Sequence, residues 1–179
     1  MRLFIAFDLP EAQKSRVEAL VEAWRPRVDA KWTRAEGRHV TLCFLGETDE
    51  ARVPEVKTKM DEVARRHAPH ALRVVGAGCF GPPAQPRVLW LGLDGALAAA
   101  RALQADLARA LDVKDEHGAW APHLTLARSK SPRGDAALVD VARALQRETF
   151  DEFLVADFVL FESRGGRYFP LHTAALARR

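Results

Sequence analysis

Cysteine is nearly absent from this chain. Its 179 residues hold two, Cys43 and Cys79. Neither sits in a metal-type spacing, and two do not make a disulfide framework. A reduced, cytoplasmic setting is therefore expected. Long apolar runs are missing too. "MRLFIAFDLP" is apolar for five residues before Asp8 and Pro10 intervene, too short for a secretion signal or a membrane span. No apolar run long enough to cross a bilayer follows, so no membrane partner is expected. Excess charge is small as well. A net charge of +3 with a pI near 9.1 leans toward anionic partners without singling out nucleic acid.

What is present is apolar residue in quantity, 48% of the chain, enough to bury a real core and to exclude compositional disorder. The length suits one domain, or two small lobes around a shared cleft. "LFIAFDL" (3–9) reads as a buried strand with a proline stop. Residues 11–25 carry Val17, Leu20, Val21 and Trp24 at helical spacing. "AKWT" (30–33) and "HVTLCFL" (39–45) are strands, the second ended by Gly46. Residues 50–67 form a helix, and "ALRVVGAGCF" (71–80) a long strand. After the turn-rich "GPPAQP" (81–86) the series restarts: strand 87–93, helix 96–111, strand 122–128, helix 134–147, strands 153–163 and 167–176.

The second half thus repeats the first. Val88 follows Leu3 by 85 residues and His123 follows His39 by 84. Near-equal offsets favour a duplication over chance alternation. The expectation is a single α+β domain over 1–179, with pseudo-repeats at about 2–80 and 87–176 related by a pseudo-twofold axis.

The repeated landmark is unusual for a core strand. "RHVTLCFLG" (38–46) and "APHLTLARS" (121–129) each hold His-x-Thr-Leu. Residues two apart on a strand share a face. His39, Thr41 and Cys43 should therefore face together, as should His123 and Thr125, with Leu42, Leu124 and Leu126 anchoring the opposite side. Across a cleft the two polar faces would bring together two imidazoles and two hydroxyls. Imidazoles titrate near neutrality and suit acid–base chemistry, and hydroxyls can donate to phosphate oxygens. Arg128 could hold a phosphate, although strict alternation turns it away from His123 unless a bulge intervenes. One His-x-Thr alone would be an ordinary strand feature; two in matching strands are not. No metal is expected, because neither motif carries a further ligand at close spacing. Residue types alone do not divide acid from base between the two histidines.

At these residues the chain resembles the two-histidine phosphoesterase superfamily. Within it the chain is most similar to the bacterial and archaeal RNA 2′,3′-cyclic phosphodiesterases, long called 2′-5′ RNA ligases. "RLFIAFDLP", "HVTLCFLGE" (39–47), "FGPPAQPRVLWLGL" (80–93) and "HLTLAR" (123–128) carry the likeness, in the family's order, over nearly the whole chain. The resemblance implies a bilobal α+β fold with two antiparallel sheets around a groove and helices outside. It implies metal-independent opening of a 2′,3′-cyclic phosphate at an RNA 3′ end to a 2′-phosphate, with ATP-independent 2′-5′ joining as a related activity; no cofactor and a monomer are expected. Carried over, His39 is the proton donor, His123 the proton acceptor, Thr41 and Thr125 bind phosphate oxygens, and Arg128 assists. A phosphodiesterase for a small cyclic nucleotide such as ADP-ribose 1″,2″-cyclic phosphate, or a non-catalytic RNA-binding module, are the alternatives.

The remaining candidates read as background. His67, His70, His117 and His172 are taken as structural or solvated. Phe4 or Phe7 could stack on a base, though core packing is expected for at least one. Trp32, Trp90 and Trp120 belong to core or groove wall. Arg34, Arg38, Arg87 and Arg133 could line an RNA path, but scattered arginines are mostly solvated surface. Cys43 is a small apolar filler on the His39 face.

Overall fold

A computed structural model describes residues 1–114 and 118–177. In chain order the elements are β1 (Arg2–Asp8), α1 (Glu11–Trp24), β2 (Lys31–Trp32), β3 (His39–Glu47), α2 (Val53–Ala64), β4 (His70–Phe80), β5 (Val88–Gly95), α3 (Leu97–Ala110), β6 (His123–Arg128), α4 (Ala137–Leu145), β7 (Phe153–Val155), β8 (Asp157–Arg164) and β9 (Arg167–Ala175). The strands are those the sequence marks, with one correction. The apolar run 153–163 is two strands, because the chain breaks at Ala156 and changes sheet neighbours there.

All pairing is antiparallel. The strand order is β7-β4-β5-β6-β3-β1-β8-β9, with β2 alongside β6. Two half-sheets are evident: β7-β4-β5-β6 and β3-β1-β8-β9. They touch between β3 and β6 through a single ladder pair, Val40 with Leu124. The expected two sheets are therefore joined at a one-pair seam into one curled path. The half-sheets do not coincide with the two sequence halves. β4, from the first half, lies beside β5, while β8, from the second, lies beside β1.

One face of the sheet packs against the helices. Leu3, Ile5 and Phe7 of β1, Val40 and Leu42 of β3, Leu89 and Leu91 of β5, and Leu124 and Leu126 of β6 are buried with Val17, Val21, Met60, Leu103 and Leu107 of the helices. A fully buried Val or Leu stabilises by roughly 1.5–3 kcal/mol relative to exposure, so this face fixes every central strand. A second, smaller cluster of Phe4, Ala6, Val159 and Phe161 lies on the opposite face of β1 and β8. That face is left open by the helices and carries the His-x-Thr pairs.

Candidate active site

His39, Thr41, His123 and Thr125 flank the seam. Their side chains are half-buried, while Val40, Leu42, Leu124 and Leu126 between them are buried on the helix side. Because Val40 faces Leu124 in antiparallel register, Thr41 lies across from His123 and His39 across from Thr125. The two motifs thus meet in one groove.

Simple alternation fails just beyond each threonine, in the same way in both strands. Along β3, Leu42 and Cys43 are both buried and Phe44 is exposed; along β6, Leu126 and Ala127 are both buried and Arg128 is exposed. The register shifts at these points, between Ile5 and Ala6 opposite β3 and between Leu89 and Trp90 opposite β6. A bulge inserts one residue and resets which face follows. Two consequences differ from strict alternation. Cys43 is not on the His39 face but in the main core, 4% exposed. Arg128 returns to the His123 side, and its positive charge lowers the pKa of that imidazole. Phe44, 67% exposed, occupies the corresponding place in the other half. It has no distinguishing sequence signal, since only the bulge turns it outward.

The two histidines sit in aromatic surroundings. The His39 ring lies 4.7 Å from Phe4, 5.1 Å from Tyr168 and 6.2 Å from Phe161. Phe4 therefore packs beneath the groove in the smaller buried cluster, whereas Phe7 is in the main core and meets the buried His70 edge-on. His123 meets Phe80 edge-on at 4.7 Å, and Phe80 leans on Trp90 at 5.3 Å. Trp90 lies so close over Gly78 that a Cβ there would come within 2.4 Å of the ring, so only glycine leaves room. The aromatic wall around His39, above all Tyr168, is not singled out by the sequence. β9 marks itself as a strand, but nothing in its pattern says that its Tyr168 meets the rings of Phe4 and His39.

Burial pushes the His39 imidazole down to about 4; Asp8 opposes this, and the His123 ring adds to it. Burial is also the leading cause of the lowered His123 pKa, ahead of an opposing hydrogen bond to the Ala121 carbonyl and the Arg128 charge. His123 Nδ1 lies 2.8 Å from that carbonyl, which holds a proton on Nδ1 and leaves Nε2 free to accept one. Trp120 Nε1 donates to the Thr41 carbonyl at 2.9 Å, and Thr33 Oγ1 donates to the carbonyls of Thr125 and Leu126 at 2.9 Å each. Both motif strands are thus held by neighbouring side chains.

The groove is electrically uneven. Asp8, across from His39 in the ladder and paired with Lys14 at 2.8 Å, lines a cavity with Asp157 and Thr173. Burial and the Asp8 charge raise the Asp157 carboxyl. The His123 side is basic, with Arg128 and Arg87 lining a cavity of about 420 Å³.

The other expected candidates fall elsewhere. Arg38 is fully buried, not surface; its guanidinium pairs with Glu18 and donates to the Lys14 carbonyl, tying α1 to the start of β3. His67, in the turn after α2, binds Asp106 of α3 at 2.9 Å, and His172 of β9 binds Asp61 of α2 at 2.8 Å. Trp32 Nε1 donates to the Val28 carbonyl. Arg34 and Arg133 are exposed, and His117 lies outside the described residues. Among the described residues no three His, Cys, Asp or Glu side chains gather as a metal-ligand set, and no helix is long and apolar enough to cross a membrane.

The likeness to known proteins follows this geometry over nearly the full chain. An RNA 2′,3′-cyclic phosphodiesterase of Archaeoglobus fulgidus is 30% identical over 165 residues, 91% of each chain. One of Thermus thermophilus is 36% identical over 143 residues, covering 74% of this chain and 70% of its own. Among solved structures, a Thermus thermophilus protein superposes with a TM-score of 0.78 at 28% identity, covering 98% of both chains. E. coli LigT complexed with 3′-AMP does so with 0.73 at 26% identity, covering 99% of this chain and 98% of its own. The profile of the 2′-5′ RNA ligase superfamily matches residues 10–167; with its paired His-x-Thr strands meeting at one seam, this chain belongs to that superfamily.

Proposed function

We propose that this protein is an RNA 2′,3′-cyclic phosphodiesterase, a hydrolase that opens the terminal cyclic phosphate to a 2′-phosphate. The observation that carries the reading is the seam: one antiparallel pair places two imidazoles and two hydroxyls on a single groove face. The curated relatives matched over most of this chain bear that activity as their name.

The cyclic phosphate lies between the histidines, its non-bridging oxygens accepting hydrogen bonds from Thr41 and Thr125, with Arg128 adding a charge-assisted bond. His123 takes a proton from a water as the water oxygen bonds to phosphorus. The P–O3′ bond breaks, and His39 gives O3′ its proton. The phosphate stays on O2′. The turnover ends with the proton on His123 instead of His39, and exchange with solvent restores the starting form. With an RNA 5′-hydroxyl in place of water, the same displacement forms a 2′-5′ linkage without ATP.

The test is incubation of the pure protein, in EDTA, with RNA ending in 2′,3′-cyclic phosphate, followed by mapping of the product. A 2′-phosphate formed at the rate seen without chelator is expected. A 3′-phosphate product, or a tenfold loss restored by zinc or magnesium, contradicts this reading.

A further inference from the structure

At the end of β6 away from His123, where Val88 pairs with Arg128, lies a basic cavity of which the chemistry at the seam uses only Arg128. Its walls include Arg87, Arg128, Ser129, Lys130 and Ser131. Arg128 is shared: it pairs with Val88 in the β5–β6 ladder and its charge reaches His123. Among the described residues neither Arg87 nor Arg128 forms a salt bridge, while Lys130 is matched by Asp29. Two guanidinium groups without a carboxylate partner thus face one hollow.

The hollow is a built feature rather than a loose loop. Ser129 N–H donates to the Arg87 carbonyl at 2.8 Å, and Asp135 N–H to the Pro86 carbonyl at 3.0 Å. Ser129 Oγ and Ser131 Oγ bond within the turn. The Arg87 guanidinium donates to the carbonyl of Pro132, which lines the same cavity. Gly134 seats this turn on the preceding hairpin, since a Cβ there would lie 2.5 Å from the Gln85 backbone.

Building on the phosphodiesterase reading, we propose that Arg87, with Arg128 and the 129–131 turn, forms a second phosphate subsite. It takes the internucleotide phosphate on the 5′ side of the terminal, cyclised nucleotide. The groove's charge sets this polarity. The cavity on the His39 side is lined by Asp157 and by Asp8, itself paired with Lys14, and by no basic side chain, so it offers a phosphate chain nothing to bind and the RNA leaves the site over Arg128 and Arg87. Guanidinium forks suit a phosphodiester well. Arg87 is a positioning and specificity residue and takes no part in proton transfer.

The experiment compares three substrates of the intact protein: a nucleoside 2′,3′-cyclic monophosphate, a dinucleotide ending in the cyclic phosphate, and the same dinucleotide with an uncharged methylphosphonate linkage. The charged dinucleotide should exceed the methylphosphonate in kcat/KM by roughly tenfold or more, the range of a hydrogen bond to a charged group, chiefly through KM. Arg87→Gln should collapse that ratio toward one, and should reduce the salt dependence of RNA binding by about one phosphate contact. Because the ratio compares two substrates on one protein, a fold defect in the variant leaves it unmoved. Turnover of all three substrates with no preference for the charged linkage overturns the subsite alone. Absence of turnover on every substrate overturns the phosphodiesterase reading, and the subsite with it.

Discussion

Burial drives the His39 imidazole to about 4 and lowers that of His123, so in the free protein at neutral pH both rings are chiefly unprotonated. The proposed reaction needs one proton on the pair. Both shifts are downward, so the form holding one proton is populated on the acid side of the free imidazole value of ~6.5. The pH profile of kcat/KM should be a bell with its maximum below that value, falling as pH rises through neutrality. An anionic cyclic phosphate favours the charged form of both rings, so the kcat profile should sit at higher pH than the kcat/KM profile. A kcat/KM maximum in the alkaline range contradicts the assignment. The limbs belong to the coupled pair and do not say which ring is acid. A leaving-group test does. His39→Ala and His123→Ala should each cost ~10²–10⁴ in rate, less than multiplicatively together. With O3′ replaced by sulfur, His39→Ala should recover and His123→Ala should not. The reverse pattern exchanges the two roles.

At the scale of elements, β3 and β6 are the informative strands. The period-two pattern of each, and the repeat of His-x-Thr, are legible without coordinates. The bulges just beyond Thr41 and Thr125 are not, because an inserted residue leaves no mark in a run where both neighbours are apolar. That is why alternation puts Cys43 beside His39, and why Arg128 needs a bulge that only the ladder supplies. The strand break at Ala156 is hidden differently: a lone Asp157 between FLVA and FVLF, with no glycine or proline beside it, reads as one outward position of a single strand. Arg38 shows the converse limit: a single arginine does not reveal that a helix carboxylate will meet it. Its place just before His39 makes it the tie between α1 and the start of β3. Arg38→Met should destabilise the protein by about 3 kcal/mol, the loss typical of breaking a buried pair, read as a lower urea midpoint at unchanged m. A loss within ~0.5 kcal/mol, as for ordinary surface changes, contradicts the structural role.

For the whole molecule, the half-buried imidazole of His39 couples stability to acidity. His39 has a folded-state pKa below its unfolded value, so between the two values the folded state binds fewer protons than the unfolded one. Its contribution to stability is complete above ~6.5 and is lost as pH drops from there through about 4. His39→Gln removes the titration, so its melting temperature should fall less between pH 7 and pH 4.5 than that of the parent. Equal falls contradict the burial argument. The order of elements is readable along the chain, but not which lobe each joins. The His-x-Thr strands of both halves read alike, and nothing local tells β4 to sit by β5 or β8 by β1. Such pairings are settled only by which apolar face is left to cover.

That exchange of strands bears on the order in which a growing polypeptide can acquire its shape. The half-sheet around His123 draws β4 to β7 from one continuous stretch, residues 70–155. The half-sheet around His39 draws on residues 2–8, 39–47 and 157–175. Ile5 has its neighbour Leu160 only after more than 150 further residues have been joined. Emerging at ~5–20 residues per second, β1 waits with one edge bare while the later-made lobe already closes on itself. Vectorial synthesis therefore completes the earlier-encoded histidine's surroundings last, and Phe4 and Tyr168 come together around His39 only when translation has passed β9.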